Sequence, residues 1–137
     1  MSAFIDTSAF YAAADRGDAH RERVATLLAD EEHLVTSDYV VLETWLLLRR
    51  RLGYAAAERF WRGIRAGAVS AEPVTAADLD AAWSIGERFE DQGFSLTDRT
   101  SFAVMQRLGI HRAVTFDHDF TVYRFGPRQD KAFEVLG

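Results

Sequence analysis

Short apolar runs alternate with longer segments of helical periodicity along this chain of 137 residues. Residues 3–5, 34–36 and 112–116 have the length and apolar character of buried strands. The segments between them are long enough to return the chain across a sheet, which favours parallel pairing through right-handed crossovers. The alternation therefore predicts the α/β fold class, as a three-layer α/β/α sandwich around a short, mostly parallel sheet.

Capping residues and glycines divide the rest of the chain into helices. Helices are predicted over residues 8–14, 19–30, 38–52 and 54–66, then from Thr75 to Gly93 and from Ser95 or Thr97 to Gly109. Ser37 or Asp38 is the expected N-cap of the third helix, and Thr75 with Asp78 is close to a capping box. Residues 69–74 are predicted to be extended, and the tail, residues 120–136, contains a candidate edge strand.

The composition narrows the possible functions. The chain has no cysteine, which excludes disulfides, thiolate catalysis and Cys-ligated metal sites, so only O and N ligands remain. No linker or repeat interrupts residues 1–137, which are predicted to form a single domain. No apolar run approaches the length of a membrane span, and the N-terminus lacks the pattern of a secretory signal. We therefore expect a cytoplasmic protein without a membrane segment.

Four acidic residues stand where a site is expected. Asp6 and Asp117 follow predicted strands, and ligands of parallel sheets bind beyond the carboxyl ends of the strands. Glu43 is the sole ionisable group in an otherwise apolar helical stretch, residues 39–48, so we expect it to be buried and either paired, protonated or bound to a cation. Asp98 lies in the first turn of a helix, where the helix dipole also favours an acid.

Crowded carboxylates raise one another's pKa unless cations neutralise them. If these acids converge, they imply a metal, and oxygen ligands suit Mg²⁺ or Mn²⁺. The net charge of −5 argues against a nucleic-acid partner, but acids used as metal ligands leave the remaining surface near neutral. Metal-assisted phosphoryl chemistry is the interpretation that fits these residues.

The acids and their neighbours give the chain a family resemblance. It resembles a PIN-domain ribonuclease, and most closely the VapC toxins of bacterial toxin–antitoxin pairs, over essentially its full length. The residues that carry the resemblance, in chain order, are Asp6-Thr7-Ser8, Glu43, Leu96-Thr97-Asp98 and the segment from Val114 through Asp117 and Asp119 to Phe120.

The resemblance implies a site and a reaction. Asp6, Glu43, Asp98 and Asp117 match the acidic quartet that binds Mg²⁺ or Mn²⁺, and Asp119 matches a fifth, variable acid. Thr7 or Ser8, and Thr115, match supporting hydroxyls. Arg99 departs from the small residue common at its position and could crowd the cleft or contact phosphate. The implied reaction is hydrolysis of RNA by a water that Glu43 or Asp117 orients, leaving a 5′-phosphate and a 3′-hydroxyl.

The resemblance also implies partners, namely an RNA substrate, a VapB-type antitoxin and a second copy in a homodimer. The apolar residues 46–48 and 60–64 are the candidate contact surfaces. His118 is expected to be exposed, and we expect three tryptophans at helical apolar positions to pack in the core: Trp45, Trp61 and Trp83.

Two other functions stay open from the sequence. A catalytically silent PIN-like module would bind RNA or a protein without cutting. A haloacid-dehalogenase-type phosphatase would use Asp6 as a nucleophile, but Ser8 stands where that family has a second Asp.

Overall fold

The computed structural model describes residues 1–137 and contains one five-stranded sheet. Its strands are paired in the order β3-β2-β1-β4-β5, and every pair is parallel. The central strand is thus the first in the sequence, and its carboxyl end is flanked by the ends of β2 and β4. The strand bounds are β1 (Ser2–Ile5), β2 (His33–Ser37), β3 (Ser70–Glu72), β4 (Arg112–Val114) and β5 (Glu134–Leu136).

Seven helices connect or follow the strands, and one 3₁₀ turn spans Glu90–Gln92. The predicted caps are confirmed: the Ser37 side chain accepts from the backbone N–H of Val40, and Thr75 and Asp78 form a full capping box. The helices are α1 (Thr7–Ala14), α2 (Arg21–Ala29), α3 (Asp38–Leu52), α4 (Tyr54–Arg65), α5 (Ala76–Arg88), α6 (Leu96–Leu108) and α7 (Asp119–Val122).

The core joins the central strands to α6 and the tail. Phe4 and Ile5 of β1 are fully buried, and the ring of Phe102 on α6 stacks on Tyr123 with centroids 4.4 Å apart. Phe133 packs near both rings, with centroids 5.9 and 5.8 Å away, so aromatic burial fixes the tail against the sheet. This explains why the candidate edge strand forms, as β5 beside β4. The predicted α/β/α fold class with a parallel sheet is confirmed.

The structure corrects one prediction about α3. Its inner side packs against α1, α4 and α6, but Leu42 and Leu46 are 60% and 55% exposed, and Glu43 is exposed between them. The burial expected for Glu43 is therefore wrong in the single chain. The apolar residues occupy almost every side of α3, but neighbouring helices cover only one side. The apolar residues on the other side are therefore exposed to solvent.

The expected burial of the tryptophans is wrong for Trp83, which is 70% exposed, and only partly met by Trp61, which is 39% exposed. The inner side of α5 is formed instead by smaller side chains, Ala82 and Ile85. None of the helices has both the length and the apolar composition that crossing a membrane requires.

Candidate active site and metal centre

Asp6 begins the site at the end of the central strand. Its side chain is buried, and Oδ2 accepts hydrogen bonds from Thr115 Oγ1 at 2.9 Å and from Ser8 Oγ at 3.1 Å. Burial raises the pKa of Asp6 to about 6; the charge of Asp117 adds to the rise, and the hydrogen bonds from Thr115 and Ser8 oppose it. Two hydroxyls thus hold a carboxyl group that is costly to ionise in the absence of a cation.

Asp98, Asp117 and Asp119 form a tighter cluster beside Asp6. One carboxylate oxygen from each lies within 4.8 Å of the others. Asp98 is 7% exposed, and its backbone N–H donates to Ser95 Oγ at 3.0 Å, which fixes the first turn of α6. Burial, the charge of Asp117 and a hydrogen bond with Asp119 raise the pKa of Asp98 to about 8, and the charge of Asp6 contributes.

Backbone hydrogen bonds set the course of the chain after β4. Thr115 Oγ1 accepts from the N–H of Asp117 at 2.9 Å, and Asp117 Oδ1 accepts from the N–H of Asp119 at 2.9 Å. The same Thr115 hydroxyl that holds Asp6 therefore also positions the acids of the neighbouring loop. This network brings Asp6, Asp117 and Asp119 together at one end of the sheet, and the first turn of α6 adds Asp98 to them.

The residues of this cluster fit a divalent cation. Repulsion among buried carboxylates raises their proton affinity, and a bound cation removes that repulsion. The donor atoms are all oxygens, which is the set that Mg²⁺ and Mn²⁺ prefer. The arrangement can hold such an ion and, through it, a phosphate group.

Glu43 stands apart from the cluster. It lines an open groove of about 520 Å³ on α3, together with Thr97, the residue before Asp98. Glu43 therefore lies at the border of the site and not among the buried acids. Thr7, predicted as a supporting hydroxyl, is buried with its Oγ1 unpaired, whereas Ser8 and Thr115 make the contacts expected of such residues.

Arg99 turns away from the acids. Its Nη1 donates to the carbonyl of Ala82 on α5 at 3.2 Å, and its guanidinium fills the space where a Cβ on Gly86 would lie. The suggested crowding of the cleft or contact with phosphate is therefore not what the structure shows for this side chain. Small residues on α5 provide the room that Arg99 occupies. His118 is exposed, as expected.

The structure places Asp119, which the resemblance matches to a variable fifth acid, in the tightest group of acids with Asp98 and Asp117. Asp6 and Glu43 lie outside that group, but the charge of Asp6 acts on Asp98. The Asp117-His118-Asp119 spacing was the available signal, because the side chain of an Asp after a strand often binds the backbone two residues later and turns the chain.

Comparison with known proteins places this fold and site in a family. The family model of the PIN domain matches residues 3–126. The 23S rRNA-specific endonuclease VapC20 of Mycobacterium tuberculosis is 39% identical over 123 residues, which are 89% of this chain and 94% of that protein. Ribonuclease VapC26 of the same organism is 28% identical over 114 residues, 82% of this chain and 84% of that protein.

Solved structures agree with the sequence comparison. The crystal structure of Mycobacterium tuberculosis VapC20, a sarcin–ricin loop cleaving toxin, matches with a TM-score of 0.82 at 38% identity and covers 89% of this chain and 94% of that one. The VapBC2 structure of Rickettsia felis bound to promoter DNA matches with a TM-score of 0.66 at 13% identity, over 86% of this chain and 89% of that one, which supports the fold alone. The chain therefore belongs to the PIN-domain family and is a VapC-type member of it.

Proposed function

We propose that this VapC-type ribonuclease hydrolyses RNA phosphodiester bonds only when its acidic cluster holds Mg²⁺ or Mn²⁺. The observation that carries the proposal is the convergence of Asp98, Asp117 and Asp119 within 4.8 Å beside the buried Asp6. Such a group of carboxyls is unfavourable without a cation, and on its own it would repel the phosphate of an RNA substrate.

The four clustered acids share one task in this proposal, which is to hold the cation. Asp98, Asp117 and Asp119 hold the cation with Asp6, and Thr115 and Ser8 keep Asp6 oriented. When bound, the cation would neutralise the negative charges of the four aspartates and polarise the phosphate of the substrate.

Glu43 has a different task because it lies in the open groove beside the cluster. There it has room to orient a water molecule and to accept its proton during attack on phosphorus. In this proposal Glu43 takes part in the reaction as a general base and does not bind the cation directly.

Ribosomal RNA is the first substrate to test, because the relative with 39% identity is a 23S rRNA-specific endonuclease. This proposal places the protein in the cytoplasm, where ribosomes are found. The decisive assay incubates the purified chain with ribosomes and with an unrelated RNA, in Mn²⁺ or in chelator, and maps the 5′ ends of the products by primer extension. We expect cuts in Mn²⁺ and none in chelator; cleavage that survives excess chelator would disprove metal dependence.

Three substitutions separate the roles of the acids. Asp6→Asn and Asp98→Asn are expected to abolish cleavage and to weaken the thermal stabilisation by Mn²⁺. Glu43→Gln is expected to lower cleavage at least about 100-fold, as loss of a general base does, while keeping most of that stabilisation. Asp80→Asn, an exposed acid on α5, is the matched control and should cut normally. A Glu43→Gln variant that cuts at the parent rate would remove Glu43 from the mechanism.

Partners form a second part of the proposal. The outer side of α3 exposes Leu42 and Leu46, and α4 exposes Tyr54 and Trp61 at 59% and 39%. Leu42 and Trp61 line a groove of about 580 Å³ together with Trp45, and Leu46 lines the adjoining groove of about 520 Å³ on α3. Exposed apolar groups this close together are typical of protein interfaces. They support a homodimer and binding of a VapB-type antitoxin.

The oligomeric state tests the α3 surface directly. Light scattering coupled to gel filtration should give twice the chain mass for the parent, and Leu46→Glu should shift the protein towards the monomer because it places a charge in the apolar contact. We expect a short antitoxin gene beside this one, and its co-expression with this chain should yield a complex that does not cut RNA. A monomeric parent would refute the homodimer and leave the nuclease proposal intact.

A further inference from the structure

An aromatic pair of one exposed and one half-buried ring borders the acidic cluster. The His20 ring stacks on the Phe116 ring with centroids 4.2 Å apart and an interplanar angle of 20°. Phe116 directly precedes Asp117, and His20 directly precedes α2. His20 is exposed, so one face of its ring rests on Phe116 and the rest is open to solvent.

The loop that carries His20 is held by hydrogen bonds. Tyr11 Oη donates to Asp15 Oδ2 at 2.9 Å, and the N–H of Gly17 donates to Asp15 Oδ1 at 3.0 Å. The N–H of His20 donates to Asp18 Oδ1 at 2.8 Å. Because both acids of this loop are engaged by local donors, the backbone at His20 is fixed before any ligand arrives.

The pair is also tied to the site. The N–H of Phe116 donates to Ser8 Oγ at 2.9 Å, and the same hydroxyl donates to Asp6 Oδ2 at 3.1 Å. A short chain of hydrogen bonds therefore sets the distance between the Phe116 backbone and the buried acid.

The stack on Phe116 is the contact that positions the His20 side chain, since it makes no capping hydrogen bond to α2. The residue is nevertheless exposed, so part of its ring stays open to solvent. Arg16 and Arg21 stand on either side of it along the chain, both exposed, and neither has a carboxylate within 4.0 Å. Both arginines line a separate groove between α1, α2 and α4. An open aromatic face beside the acidic cluster matches the planar base of a nucleotide.

We propose that His20, supported by Phe116, is a stacking subsite for an RNA base next to the phosphodiester that is cut. The inference rests on the proposed ribonuclease function. Stacking on aromatic side chains accepts any base, so the subsite positions the strand and does not by itself define the sequence. His20 is a positioning residue in this scheme and takes no part in the chemical step.

The test compares His20→Ala with His20→Phe in the Asp98→Asn background, in which RNA is expected to bind without being cut. The probe is a short single-stranded RNA that carries one 2-aminopurine, whose fluorescence is quenched when the base stacks. We expect His20→Ala to weaken binding about ten-fold and to lose the quenching, and His20→Phe to restore both. His33→Ala, an exposed histidine at the start of β2, is the matched control and should behave as the background protein does.

Kinetics in the otherwise native chain provide the second readout. His20→Ala should raise KM for RNA about ten-fold with little change in kcat, because stacking acts on binding. Unchanged binding and KM in His20→Ala, while the parent still cuts RNA in Mn²⁺, would overturn this inference alone. A parent that neither binds nor cuts RNA would overturn both the inference and the proposed function. Equal loss of binding in His20→Phe would refute stacking as the basis of the effect.

Discussion

Removing the charge of Asp98 is expected to stabilise the metal-free protein. The folded state holds the proton of Asp98 and of Asp6 more tightly than the unfolded chain does, since their pKa values are raised from 3.8 to about 8 and about 6. For groups of this kind the contribution to stability is fully present below pH 3.8 and is lost as the pH rises through the folded pKa values. The metal-free protein should therefore become less stable between mildly acidic and mildly basic pH.

The size of the loss follows from these pKa values. At about 1.4 kcal/mol for each tenfold change in proton affinity, Asp6 alone destabilises the fold by about 3 kcal/mol when fully ionised. Roughly half of that is lost between about pH 5 and pH 8. Asp98 adds a larger loss over the same range because its pKa is higher. Asp98→Asn should therefore exceed the parent in stability at pH 8 by about 2 kcal/mol or more.

Urea unfolding in chelator, followed by tryptophan fluorescence, measures this difference. The parent should lose stability from pH 5 to pH 8, Asp98→Asn should lose less than half as much, and the exposed control Asp80→Asn should follow the parent. Saturating Mn²⁺ should flatten the pH dependence of the parent and leave that of Asp98→Asn almost unchanged. A parent whose stability is constant or rises over this range, or an Asp98→Asn variant that falls as steeply, would refute the reasoning.

Two further substitutions test the surroundings of the site. Thr115→Val removes the hydroxyl shared by Asp6 and the N–H of Asp117, so we expect about 1–3 kcal/mol of destabilisation in urea unfolding and at least tenfold slower cleavage; a fully active variant would contradict the assigned role. Arg107→Met leaves the buried Asp78 without its ion pair, and because Arg107 is itself partly exposed we expect a loss of about 2 kcal/mol. RNA cleavage per folded Arg107→Met molecule should equal that of the parent, which an activity assay at low temperature checks.

Local signals in the sequence were sufficient for most of the elements and for part of the site, although α7 (Asp119–Val122) was not predicted. The caps at Ser37 and Thr75 were predictable because a capping hydrogen bond joins residues only three positions apart. Asp6 was identifiable because a strand-end acid in a parallel sheet has a defined place at the ligand-binding edge. The alternation of strands and helices was enough to predict the α/β class.

Contacts between distant segments decided the rest. Glu43 and Trp83 were expected to be buried, but which side of a helix is covered depends on the helices that pack against it, and apolar residues alone do not show this. The approach of Asp119 to Asp98 depends on how α6 meets the loop after β4, two segments that are separate in sequence. The direction of Arg99 also depends on a distant segment, since the space it fills is provided by Ala82 and Gly86 on α5.

The sequence by itself determined most of the elements, two of their caps and the acids available for a site, because these depend on neighbours within a few residues. Only the tertiary structure decided which acids lie within reach of one cation, and that His20 rests on Phe116 beside them. Convergence of this kind depends on packing between segments far apart in the chain, and no local pattern encodes it.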